Sequence, residues 1–385
     1  MSEYLPGLEG VPATKSNISD IDGEKGILAY RGYAIEELAE HSSFEETTLL
    51  LLDGRLPTSQ ELAIFKQQLR NNHRVKFQIR EMMRYMPPTG HPMEMLQSSV
   101  ASLGMFYPGN ECLTGSDLCE DLNYIHNMSV KIIARMATLV AMWEQIRGGY
   151  DPIEPRTDLG YAENFLYMLT GEEPDPFLAK IMDTCLVLHA EHTINASTFA
   201  ALVTGSTLAS PYGVIAAAIG TLSGPLHGGA NERVVEMLKE IGSPERVEDW
   251  LDKKLANKEK IWGMGHREYQ VRDPRAPILQ ELMEKLAKHK GGKNSPLFDT
   301  AVALEAAAEE RLAEKGVYAN VDYYSGILYS EMGIPLDQFT SIFAVSRAAG
   351  WLAHWREQLA DNRIFRPTQV YVGEPLREYV PIDKR

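Results

Sequence analysis

The sequence predicts an all-α protein, and three observations carry that prediction. Apolar residues recur at helical spacing along most of the 385 residues. Capping residues and prolines punctuate those stretches where helices should start and stop. Strand-like runs are confined to 26–30 and 368–372. The length is great for one hydrophobic core and suggests two domains or one large one.

Segments 33–41, 45–53, 59–71 and 76–85 read as short amphipathic helices. Leu56-Pro57-Thr58 opens the third, and Pro87-Pro88-Thr89-Gly90 closes the fourth. A long apolar-periodic stretch, 123–147, stops at Gly148-Gly149, and 150–158, with two prolines, is a loop. Asp175-Pro176 combines a capping side chain with proline at the first helical position, and the helix it opens runs towards His189. An alanine-rich helix over 196–207 can pack closely, and another covers 231–241 after GPLHGGA. The charged stretch 245–260 is followed by amphipathic helices over 277–290 and 296–315, joined by an exposed turn at 290–294. A long helix over 338–359 carries Trp351 and Trp355 four residues apart. The charge-rich 222–330 region reads as a smaller domain inserted into a larger one of 1–221 completed by 331–385.

A net charge of −15 argues against nucleic acid as a partner, because nucleic-acid binders present basic surfaces. It leaves open a small anionic substrate held by local arginines. Three cysteines, Cys112, Cys119 and Cys185, have no metal-ligand spacing and read as free thiols in a reducing cytoplasm. No apolar run reaches the length of a membrane helix.

Four of the ten histidines keep unusual company. His227, in SGPLHGGAN, precedes a helix whose dipole disfavours the imidazolium. A neutral ring there can donate to a carbonyl oxygen that gains charge, or it can simply cap a tight turn. His266 lies in GMGHREYQVRDPR, where glycines allow close backbone approach, but neither dinucleotide-binding nor Walker spacing is present. Arg272 and Arg275 of this stretch are anion-binding candidates, with a surface salt-bridge loop as the alternative. Asp322, in NVDYYSG, has partly apolar surroundings that would raise its pKa and strengthen it as a base; a helix cap is the plainer role. Arg347 sits among small residues on an apolar helix and, if buried, needs an anion. Arg366 precedes Pro367 in extended chain. His189 and His192 flank Glu191, but their spacing is not that of a zinc protease and no third ligand is evident.

Taken in order, GLEGVPATKSNISDIDGEKGILAYRGYAIEELAE, LHAEHTINASTFAA, GPLHGGANERV, GMGHREYQVRDPRAP, NVDYYSG, SRAAGWLAHWREQ and RIFRPTQVYVG resemble the citrate synthase family along nearly the whole chain. The resemblance implies a mostly helical homodimer, with a large and a small domain per subunit. It also implies the entry reaction of the tricarboxylic acid cycle, in which acetyl-CoA, oxaloacetate and water give citrate and CoA. No cofactor or metal is implied, since acetyl-CoA is a substrate. By position, Asp322 matches the base that removes the methyl proton, and His227 the hydrogen-bond donor to the thioester oxygen. His266 matches the residue that polarises the ketone of oxaloacetate. His192, Arg275 and Arg347 match oxaloacetate-binding residues, and Arg366 resembles the arginine donated to the neighbouring subunit's site. Lys260, Arg267 and Arg272 are nominated for CoA from charge near the loop. Glu268 and Met264 depart from the family's usual residues in this loop. The chain begins almost directly with the family's core, so no dedicated N-terminal effector domain is expected.

Three rival readings are carried forward. A 2-methylcitrate synthase would use propionyl-CoA with the same residues. A helical scaffold would have kept the fold without the chemistry, and a zinc hydrolase would be built on His189 and His192.

Overall fold

The computed structural model describes residues 4–106 and 122–385; Cys112 and Cys119 lie outside them. An antiparallel hairpin, β1 (Ser19–Asp22) and β2 (Ile27–Tyr30), pairs Ser19 with Tyr30 and continues into β3 (Tyr33–Ala34). Sequence reading finds β2 but misses β1, whose polar SDID has no strand periodicity. From there the described chain is helical, as expected. The helices α1 (Ile35–His41), α2 (Phe44–Asp53), α3 (Ser59–Asn72), α4 (Phe77–Arg84) and α5 (Pro92–Leu103) lead to the long α6 (Leu122–Arg147). Next come α7 (Tyr161–Thr170), α8 (Pro176–His189), α9 (Ala196–Ser206) and α10 (Pro211–Leu222). The chain continues through α11 (Ala230–Ile241), α12 (Val247–Ala256), α13 (Arg275–His289), α14 (Pro296–Leu312), α15 (Val321–Glu331) and α16 (Phe339–Ala360).

Local chemistry sets the helix starts. Thr58 and Glu61 form a reciprocal capping box on α3, satisfying two N–H groups that would otherwise lack partners. Asp175 accepts from the Phe177 N–H at 2.8 Å with Pro176 next to it, as its sequence predicts. Asn195 caps α9 and Asn320 caps α15.

α16 is the spine of the molecule. It packs on α2, α5, α6, α8, α9 and α10, and nearly all of its residues are buried on every face. An all-round apolar helix can exist only inside the protein, and Trp351 and Trp355 are wholly enclosed there. A second group, α11 to α15, packs largely on itself and meets the rest where α11 touches α16, and where α13 touches α1 and α8. The expected C-terminal strand at 368–372 is absent: that stretch is extended, exposed and pairs with no strand among the described residues. Its alternating apolar residues have no sheet edge to join.

Among the described residues no helix is long and apolar enough to cross a membrane. Cys185 is a free, buried thiol whose pKa burial pushes up to about 12.

Candidate active site

Two distant segments are laced together to build the site. Gly265 N–H donates to Tyr318 C=O at 2.7 Å, Asn320 N–H to Gly263 C=O at 2.9 Å, and the Asn320 amide to Gly265 C=O at 2.9 Å. The Val321 N–H reaches Asp273 Oδ2 at 3.2 Å. Gly263 makes this lacing possible: its φ is +74°, and a Cβ there would lie 2.7 Å from Val234 Cγ2 and 2.9 Å from Tyr323 Cδ2. The glycine therefore serves contact between α11, the loop and α15.

His266 projects from this loop. Its Nδ1 accepts from the backbone N–H groups of Glu268 at 3.0 Å and Tyr269 at 3.4 Å, which assigns the proton of the neutral ring to Nε2. Burial pulls its pKa down to about 4, with Arg275 adding and Asp273 opposing. The His192 ring stands edge-on to it at 5.1 Å, and Tyr269 completes the trio, its hydroxyl 3.1 Å from His192 Nε2. Burial, followed by Arg275 and the neighbouring His266, holds His192 far below the ordinary imidazole range.

His227 lies in the turn between α10 and α11, where Gly228 N–H returns to Leu222 C=O at 2.9 Å. Its Nε2 accepts from Ser197 N–H at 3.3 Å and meets Ser197 Oγ at 2.9 Å. Ser197 Oγ, whose single hydrogen can serve either His227 Nε2 or Asn195 Oδ1 at 2.7 Å, accepts from Trp351 Nε1 at 3.1 Å. The proton of neutral His227 is thereby placed on Nδ1. Burial, aided by Arg347, brings its pKa to about 4. The neutral state expected from the sequence thus has desolvation and a nearby arginine behind it.

Asp322 opens α15, but Asn320 is its cap: Asp322 N–H donates to Asn320 Oδ1 at 3.0 Å. Its Oδ1 is buried and has no hydrogen-bond partner among the described residues. Burial raises the carboxyl to about 7; Arg275, Arg347 and Lys260 pull it back and Asp273 pushes it further up.

The two buried arginines differ. Arg275 is held by Asp273 through Nε–Oδ1 at 2.9 Å and a second contact at 2.7 Å. Burial works against its charge, but Asp273 raises it above the ordinary guanidinium value. Arg347 spends Nε on His189 C=O at 2.7 Å and lies over the Phe343 ring. Among the described residues no carboxylate lies within ion-pair distance of Arg347. Burial lowers it to about 10, so it remains a cation at neutral pH.

Other sequence candidates lie outside this cluster. Arg366 is exposed and donates only to Pro367 C=O within its own chain. Lys260 sits over the Trp262 ring and Arg267 is exposed. Arg272 turns away, pairing with Glu305 at 2.8 Å and with Gln280, as the salt-bridge alternative has it. His189 Nδ1 faces Cys185 C=O, and no group of three His, Cys, Asp or Glu among the described residues is arranged to hold a metal. Sequence reading missed Tyr269, Ser197 and Asn195, which orient the named residues; the turn Asp273-Pro274-Arg275 does fix its arginine, as its sequence predicts. Only Asn195 carried a usable signal, as a capping residue before an alanine-rich helix.

The cluster thus combines a cationic arginine free for an anion, three imidazoles kept neutral, two of them with assigned N–H donors, and a carboxyl that titrates near neutrality. Such a set can bind a carboxylate, donate to two carbonyl oxygens and remove a weakly acidic proton.

Comparison with known proteins agrees. The family model for the citrate synthase C-terminal domain matches residues 7–368. The citrate synthase of Acidithiobacillus ferridurans is 62% identical over 382 residues, covering 99% of this chain and 98% of that one. The crystal structure of citrate synthase from Pyrobaculum aerophilum superposes with a TM-score of 0.92 at 41% identity, covering 98% of this chain and 95% of that one. The Thermoplasma acidophilum enzyme, solved with carboxymethyl coenzyme A and oxaloacetate, gives 0.93 at 34% identity over the full length of both. The chain belongs to the citrate synthase family, transferases that condense acetyl-CoA with oxaloacetate and release citrate and CoA.

Proposed function

We propose that the cluster around Arg347 and Asp322 carries the condensation. Asp322 takes a methyl proton of acetyl-CoA while His227 Nδ1–H donates to the thioester oxygen, giving an enol or enolate. Its carbon attacks the ketone of oxaloacetate, and His266 Nε2–H delivers a proton to the forming alkoxide. Water then cleaves citryl-CoA to citrate and CoA. Arg347, Arg275 and His192 hold oxaloacetate.

The observation that carries this reading is the partnerless Asp322 Oδ1, buried beside arginines that keep its pKa near 7. A thioester α-proton is a very weak acid, so base and oxyanion donor must act together where water is scarce. Removing Asp322 or His227 costs at least ~10²–10⁴ in rate.

Segment 222–330 forms the small domain that closes on the remainder after oxaloacetate binds, which would spare acetyl-CoA from wasteful hydrolysis. The working unit is a cytoplasmic homodimer. Arg366 crosses to the partner's site on a tail whose Val372 and Tyr379 are almost fully exposed in one chain, apolar surface that a second subunit would cover. The CoA-side charges are Lys260, Arg267 and Arg272, nominated from their charge near the loop.

The test is thiol release with acetyl-CoA or propionyl-CoA, each with oxaloacetate, beside Asp322→Ala. Acetyl-CoA turnover lost in the variant supports the assignment. Turnover that survives the substitution refutes the role of Asp322. The propionyl-CoA alternative is not favoured, since relatives at 62% and 53% identity over nearly the full chain are citrate synthases.

A further inference from the structure

Behind Arg347 lies a second buried ionisable pair that the mechanism does not use. Glu191 and His354 are 0% and 1% exposed, with His354 Nε2 at 3.0 Å from Glu191 Oε1. Ser19 Oγ also donates to Oε1 at 3.0 Å. Glu191 Oε2 and His354 Nδ1 are both buried without a partner among the described residues. Gly350 makes room for the carboxylate: a Cβ there would sit 2.2 Å from Oε2.

The charged and titratable groups facing the pair come from two elements. Arg347 lies on the same helix two turns back, and Tyr30 and Arg31 come from the end of β2. Burial opposes ionisation of Glu191, but His354, Arg347 and Ser19 hold it below the ordinary carboxylate range, so it is an anion at neutral pH. On its other side His354 lines a cavity of about 410 Å³, together with Ser16, Asn17, Glu357 and Asp361.

A dicarboxylate bound at Arg347 brings two further negative charges towards a buried carboxylate that already has an unfilled oxygen. Like charges at close range favour the protonated form. We propose that Glu191, positioned by its contact with His354, accepts a proton when the dianion binds at Arg347, with the cavity beside His354 as its route from solvent. The proton leaves water or buffer acid and bonds to the Glu191 carboxylate, whose Oε2 has no partner among the described residues; no other bond changes. This rests on Arg347 as the carboxylate-binding group.

The test is calorimetric titration of the full chain with oxaloacetate alone at pH 7.5, in buffers of different ionisation enthalpy. Asp322→Asn serves as the background, so that Asp322 cannot take the proton. The expected uptake is roughly 0.3 to 1 proton per site. Glu191→Gln added to that background should abolish it while oxaloacetate still binds. His354→Gln should shift or abolish it, and gives an independent reading if Glu191→Gln does not fold. Buffer-independent heat in the Asp322→Asn protein, or unchanged uptake in both the Glu191 and the His354 variant, overturns the proposal. Absence of any oxaloacetate binding overturns the Arg347 assignment beneath it instead.

Discussion

Asp322→Asn should destroy activity and yet stabilise the protein above neutral pH. The carboxyl titrates at 3.8 in its reference state and at about 7 in the fold, mainly because burial penalises its charge. The folded state therefore holds its proton over a range in which the unfolded chain has already lost it. Stability from this group is fully present below pH 4, falls as pH rises through about 7, and is then lost entirely. A shift of about three units corresponds to a ceiling of about 4 kcal/mol. Asparagine has nearly the same shape and no charge, so it escapes this penalty. For a chain of this length the ceiling corresponds to about 5 °C in Tm. The assay is thermal unfolding of wild type and variant at pH 4.5 and pH 8. The variant should melt several degrees higher at pH 8, with little difference at pH 4.5, while its kcat falls by ~10² or more. A variant that melts at or below wild type at pH 8 would refute the account of Asp322 as a carboxyl strained by burial.

Because Asp322 must be ionised to act, kcat/KM should rise with pH through about 7 and then level, a profile read from initial rates. Arg347→Met removes a buried guanidinium that has no carboxylate within ion-pair distance among the described residues, so the KM for oxaloacetate should rise at least ~10²-fold; an unchanged KM would exclude it from substrate binding. Gly263→Ala forces a Cβ against Val234 and Tyr323 at positive φ and should cost about 1–3 kcal/mol in denaturant titration, with a loss of kcat from the displaced His266 loop. Co-refolding inactive Asp322→Asn with inactive Arg366→Ala should restore about a quarter of wild-type activity: half the dimers are mixed and one of their two sites is intact. No recovery would mean that Arg366 does not cross between subunits.

Much of the fold is legible because its helices obey local rules. The box at Thr58 and Glu61, the Asp175-Pro176 start and the apolar stretch ending at Gly148-Gly149 all leave short-range signals, and all lie at helix boundaries. The misread element at 368–372 fails for the opposite reason: alternation predicts a strand only where an edge exists to receive it, and that is a long-range fact. The site shows the same division. His227, His266 and Asp322 stand out through glycines and neighbours in sequence. Ser197, Tyr269 and Asp273 act across 30, 77 and 48 positions respectively, on His227, His192 and the Val321 N–H. No local pattern records those partnerships.

The electrostatics of the site impose a requirement that individual residues do not reveal. Burial alone would drive Asp322 far above neutrality, and Arg275 and Arg347 are what bring it back to a useful value. The same arginines help keep His192 and His227 uncharged and able to donate. Oxaloacetate, however, must bind through those arginines, and its two charges offset the cations that restrain Asp322. Binding the first substrate thus pushes the catalytic carboxylate towards protonation just as the second arrives. Either the base weakens its own ionised fraction, or another group nearby takes the proton that the dianion attracts. Glu191, anionic at neutral pH and linked to solvent through His354, is the buried group placed to do so. In Glu191→Gln the activity plateau should accordingly move to higher pH at saturating oxaloacetate, while the profile at low oxaloacetate, which reports the free enzyme, stays nearer that of the wild type. Parallel movement of both profiles would instead mark Glu191 as a fixed charge that takes no part in substrate-linked protonation.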